Sequence, residues 1–128
     1  MASVLKLDCD RKLDRIRIAD ALSLLGIKPL RASVFRTANG FHVYIHIKGS
    51  LTDMETVALQ VILGSDYRRE CFNLMRVRSN NFKDGSWNIL FSRKKYAIKK
   101  KKLIKISAER YDERLSKALL KVIRLYDN

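Results

Sequence analysis

Apolar and polar residues alternate through Val4-Leu5-Lys6-Leu7-Asp8-Cys9-Asp10. A period of two predicts a β-strand with Leu5, Leu7 and Cys9 facing a core and Lys6, Asp8 and Asp10 on the other side. Beyond a charged stretch, Ile18, Leu22 and Leu25 recur at helical spacing, and Gly26 with Pro29 closes that helix. Arg31 to Thr37 and Phe41 to Lys48 predict two strands joined by Ala38-Asn39-Gly40, with Asn-Gly expected to supply the positive φ angles of a tight hairpin. In the second arm Phe41, Val43, Ile45 and Ile47 form an apolar face, leaving His42, Tyr44, His46 and Lys48 on an exposed one.

Thr52 and Glu55 fit a capping box, followed by an expected buried stripe of Met54, Val57, Ala58, Val61 and Ile62 that stops at Gly64. Ser65 is placed to cap a further helix from Asp66 to about Val77. Its periodicity puts Tyr67, Cys71, Leu74 and Met75 inward and Arg68, Arg69, Arg76 and Arg78 outward. Trp87 to Phe91 predicts a fourth strand, and Ser107 to Tyr126 an amphipathic helix with Tyr111, Leu115, Ala118, Leu119, Val122 and Tyr126 on one stripe. The order is βαββαβ, an α+β fold of the RRM-like or ferredoxin-like layout with helices on one sheet face, plus a C-terminal amphipathic helix. Right-handed crossovers set the first and third strands side by side. Asp8, Asp10, His42, Tyr44 and His46 then gather on the open face.

The chain has 128 residues, the size of one domain: an RRM-like core over 1–93, then a basic stretch and helix over 94–128. No apolar run approaches a membrane span and no signal peptide is evident, so a cytoplasmic protein without a membrane partner is expected. Cys9 and Cys71 stand far apart and outside any Cys/His cluster, which predicts core thiols and neither zinc nor a disulfide.

Charge changes the picture most. Lys and Arg number 27 against 13 Asp and Glu, a formal net charge of +14 that favours a polyanionic partner, nucleic acid before lipid. From Arg93 to Lys105 eight of thirteen residues are basic. Lys94, Lys95, Lys99, Lys100, Lys101 and Lys102 are candidate phosphate contacts, with Tyr44, Arg76 and Arg78 beside them as nucleic-acid-binding residues.

Leu7-Asp8-Cys9-Asp10 is similar to the hydrophobic-Asp-hydrophobic-Asp motif of the archaeo-eukaryotic primase and primase-polymerase superfamily. Asn39-Gly40-Phe41-His42-Val43-Tyr44 resembles that family's later small-x-His motif, and Asp66 in Leu63-Gly64-Ser65-Asp66 is the best candidate for its third carboxylate. The resemblance spans roughly residues 4 to 93, without a zinc module or helicase domain. It implies a minimal catalytic core in which Asp8, Asp10 and Asp66 bind Mg²⁺ or Mn²⁺ for nucleotidyl transfer and His42 contacts the incoming nucleotide's phosphates. Arg68 and Arg69 are candidate ligands for a nucleoside triphosphate. DNA rather than RNA is the expected template, with recruitment to a larger replication assembly.

Two other functions fit the same pattern. One is a noncatalytic DNA- or RNA-binding protein on an RRM-like sheet. The other is a rolling-circle-type endonuclease, in which His42 and His46 would bind a metal and Tyr96, near Lys100, would be the nucleophile.

Overall fold

The chain, seen in a computed structural model that describes residues 2–79, 81–82, 85–90, 95–99, 102–106 and 109–126, follows the predicted order through the two helices after its third strand. The elements are β1 (Ala2–Asp10), α1 (Arg15–Leu24), β2 (Pro29–Arg36), β3 (Gly40–Leu51), α2 (Asp53–Ile62), α3 (Tyr67–Ser79), β4 (Lys95–Lys99), β5 (Lys102–Ile106), β6 (Arg110–Tyr111) and α4 (Glu113–Tyr126). This is an α+β fold with a four-stranded antiparallel sheet ordered β1-β3-β2-β6, while β4 and β5 form a separate hairpin.

Alternation in β1, β2 and β3 does what a half-buried sheet requires. Leu5, Leu7 and Cys9, Ala32 and Val34, and Val43, Ile45 and Ile47 share one core with Ile18, Ala19 and Leu22 of α1, Leu59 of α2, Leu63, and Leu119 and Ile123 of α4. Full burial of each Val, Leu or Ile among them contributes about 1.5–3 kcal/mol. The capping box of α2 is present: Thr52 accepts from the Glu55 N–H and Glu55 accepts from the Thr52 N–H.

The hairpin between β2 and β3 forms with a different device from the one expected. Neither Asn39 nor Gly40 has positive φ. Gly40 is instead needed for close approach, because a Cβ there would run into the Cys9 carbonyl and sit 2.7 Å from the Arg11 nitrogen. The glycine thus lets β3 start directly against the end of β1.

The predicted fourth strand is corrected. Residues 87–90 form no strand, and Phe91 lies outside the described residues. The edge of β1 that such a strand would pair is closed by other groups. Lys6 N–H donates to Gln60 Oε1 (2.9 Å) and Asp8 N–H to Ser65 Oγ (3.0 Å). The Lys6 carbonyl accepts from Arg69 Nη1 (2.5 Å) and the Asp8 carbonyl from the Asp66 N–H (2.6 Å). Buried backbone groups need partners, and the side chains of Gln60, Ser65 and Arg69 with the Asp66 main-chain N–H supply them here before a strand could.

That service turns α3 over. Its buried residues are Arg69, Glu70 and Asn73, whereas Tyr67, Cys71 and Met75, expected inside, are exposed. α2 shifts likewise: Thr56, Val57, Leu59 and Gln60 are buried, and Met54, Val61 and Ile62 are exposed. Asp66 caps α3 in place of Ser65, accepting from the Arg69 N–H at 3.3 Å. At the C-terminus the helix starts at Glu113, later than expected, because Arg110 and Tyr111 pair with β2 as β6. Among the described residues no helix is long and apolar enough to cross a membrane.

Candidate functional site

Pairing of β1 with β3 places Asp8 directly opposite His42, Lys6 opposite Tyr44 and Asp10 opposite Gly40. Because the Asp8 backbone groups point away to Ser65 and Asp66, Asp8 and His42 form a pair without mutual backbone hydrogen bonds, the kind in which side chains come closest. His42 Nε2 stands 3.7 Å from Asp8 Oδ1. Asp10 projects from the same face of β1, two residues on, and is exposed.

His42 is only 3% exposed, so the face is not open at this point. The cover is Glu109, just before β6, whose Oε1 lies 2.5 Å from His42 Nδ1 and accepts from the Tyr44 hydroxyl at 3.5 Å. The imidazole therefore lies between two carboxylates, held at one nitrogen and facing Asp8 with the other. Glu109 escaped the sequence reading because it falls where a helix was expected. One signal was present: it is the first acid after Asp84, at the end of the strongly basic stretch.

Electrostatics single out Asp8. Burial pushes its carboxyl above the usual range; Asp66 and Asp10 push the same way, while His42 and Arg69 oppose them. Burial and Glu109 likewise raise the Tyr44 hydroxyl. The Cys9 thiol behind Asp8 is pushed up to about 12, mainly by burial, and stays protonated as a core group. His46 lies apart from this cluster: its Nε2 is 3.1 Å from Arg31 Nη2, and burial and then Arg31 lower its pKa.

Beneath Asp8 lies a buried polar network. Arg69 donates to the carbonyls of Lys6 and Ile89, to Glu70 Oε2 (2.6 Å) and to Asn88 Oδ1 (2.7 Å). Gln60 joins it through Glu70 and Asn88, and Asn73 donates to Glu70 at 2.9 Å. Burial lowers the Arg69 pKa while Glu70 and Asp8 hold it up. The guanidinium is engaged inside the fold, unlike exposed Arg68 and Arg78. Arg76 contacts Asn73 and the Trp87 carbonyl.

Asp8, Asp10, Asp66 and His42 are thus brought to one end of β1. Among the described residues, no group of three or more His, Cys, Asp or Glu side chains is arranged to hold a metal ion. Of the basic run, Lys95 and Lys99 lie on β4 and Lys102 on β5, with Lys99 opposite Lys102. Lys94, Lys100 and Lys101 lie outside the described residues. Tyr96 is on β4, opposite Lys105. Cys71, expected as a core thiol, is exposed on α3.

Comparison with known proteins returns no match to a protein family, a curated protein or a solved structure.

Proposed function

We propose that this chain is a nucleic-acid-binding replication domain, similar to a minimal primase-polymerase, with metal-dependent nucleotidyl transfer seated at Asp8, Asp10 and His42. The observation that carries this reading is the β1–β3 register, which sets the acid of one motif opposite the histidine of the other. The donor set fits the ion it requires. Asp8 and Asp10 are hard oxygen donors on one face, and Mg²⁺ bound together with substrate phosphates takes only one or two carboxylates. Such an ion, held by these acids with Asp66 nearby, supplies charge neutralisation at the phosphates. The chain's own groups do the rest: Glu109 fixes the His42 ring, His42 presents Nε2 on the Asp8 side, and exposed Arg68 is available to a triphosphate. Template contacts fall to the lysine hairpin.

A noncatalytic nucleic-acid-binding role is the second reading. Two observations favour it: Arg69 is committed to the internal network, and Glu109 already occupies His42 Nδ1.

Nucleotide incorporation on a primed and an unprimed single-stranded template, with Mg²⁺ or Mn²⁺, separates the two. The catalytic reading expects incorporation that Asp8→Asn abolishes while affinity for the template is kept. Template binding without any metal-dependent incorporation would establish the second reading instead.

A further inference from the structure

The outer side of α3 departs from the usual rule for a surface helix. Tyr67, Phe72 and Met75 are 66%, 54% and 62% exposed, and Arg68, Cys71 and Arg78 are exposed beside them. At about 100° per residue these six positions form one continuous face. The helix's single acid, Glu70, points inward, so the face carries rings, a thioether and two cations but no carboxylate. A clustered apolar patch of this kind marks an interaction surface. Rolling the helix to hide it is not open to the fold, because the opposite side is fixed by Arg69 on the β1 edge and by Glu70 and Asn73 within the network.

Charge decides among occupants. A second copy would bring another +14 and repel. A free phosphate offers the rings nothing, and a duplex keeps its bases stacked inside. A single strand presents phosphates and flat base faces together, the pairing that arginines and aromatic rings recognise. We propose that the outward face of α3, formed by Tyr67, Arg68, Phe72, Met75 and Arg78, binds single-stranded nucleic acid, with the two rings stacking on bases and the two arginines holding phosphates. This inference shares the nucleic-acid partner of the proposed function and gives to a strand phosphate the Arg68 that the proposed function offers to a triphosphate, but it uses none of the metal chemistry.

Fluorescence anisotropy with a labelled oligodeoxythymidine, and with heparin as a polyanion lacking bases, tests it in the full chain. The Tyr67→Ser/Phe72→Ser variant should bind the oligonucleotide about tenfold or more weakly and heparin unchanged, since stacking requires bases. The Arg68→Gln/Arg78→Gln variant should weaken both and flatten the oligonucleotide's salt dependence by roughly 0.7 per lost contact. Melting by circular dichroism should match the parent for both, as these side chains face solvent. A ring variant that binds the oligonucleotide as the parent does would overturn the inference and assign the face to a protein partner, leaving the proposed function intact through the lysine hairpin. A parent that binds neither probe would overturn both.

Discussion

Helices α3 and α4 are close in length and opposite in design. α4 buries Leu119 and Ile123 and exposes Lys117, Lys121 and Arg124, as a helix on an apolar sheet face should. α3 buries an arginine, a glutamate and an asparagine and exposes a tyrosine, a phenylalanine and a methionine. The difference lies beneath them. α4 packs Leu119 and Ile123 into the apolar core, and its Ser116 hydroxyl meets the sheet by accepting from the Val34 N–H at 2.8 Å and donating to the Val34 carbonyl at 3.5 Å. α3 lies along the edge of β1, where main-chain donors and acceptors must be matched. A helix buries what the surface under it lacks, and a sheet edge lacks hydrogen-bond partners.

The contrast can be broken most forcefully at Arg69. Arg69→Ala should cost about 3–5 kcal/mol in urea unfolding, because it strands Glu70 as an unpaired buried charge. A cost below about 1 kcal/mol would mean that α3 is not anchored by its polar side. In α4 the equivalent anchor is apolar, and Leu119→Ala should cost roughly 3 kcal/mol through the cavity it leaves. Gln60→Leu should come next, at about 1–3 kcal/mol, since it orphans the Lys6 N–H; slowed amide exchange at Lys6 would contradict the assignment.

The smaller effects sharpen the comparison through pH. The Asp8 carboxyl is raised in the fold, so its contribution is most favourable below the unfolded value of about 3.9 and is lost as pH rises through the folded one. Asp8→Asn, melted in a chelator, should therefore equal or exceed the parent at neutral pH and lose that advantage in acid. Asp112 at the start of α4 has the opposite sign. The Leu115 N–H and Arg36 lower its pKa, so its contribution is present at neutral pH and fades as pH falls through the folded value; Asp112→Asn should melt lower at pH 7 and converge on the parent in acid. Least of all, Met75→Ser should stay within about 0.5 kcal/mol of the parent. A loss of core size there would mean that α3 faces the other way.

Much of this was legible in the chain because it depends on local pattern. Alternation in Val4 to Asp10 and Phe41 to Lys48 set which side of each strand is apolar, and that alone brings Asp8 and His42 to the same face. The capping box at Thr52 and the stop at Gly26 are likewise contacts within a few residues. What could not be read depends on partners far along the chain. Nothing near Arg69 announces that it will meet the Lys6 carbonyl, and nothing near Glu109 points to His42. Periodicity alone turned α3 by its apolar residues, whereas the fold turned it by its hydrogen-bonding ones. The same long-range contacts explain the fourth strand: once side chains close the β1 edge, Trp87 to Leu90 has no ladder to join.

A strand edge sealed by side chains differs from one sealed by another strand in how it opens. Displacing a paired strand means breaking a cooperative ladder, but withdrawing α3 and the end of α2 frees the Lys6 and Asp8 main-chain groups while the β1-β3-β2 pairing stays whole. The chain then carries a native sheet with a bare rim, a template on which another strand can add. Protection of that rim therefore hangs on the seating of one helix more than on the strength of its sheet. Partial loosening of α3 should speed amide exchange at Lys6 and Asp8 before it speeds exchange within the β1–β3 ladder.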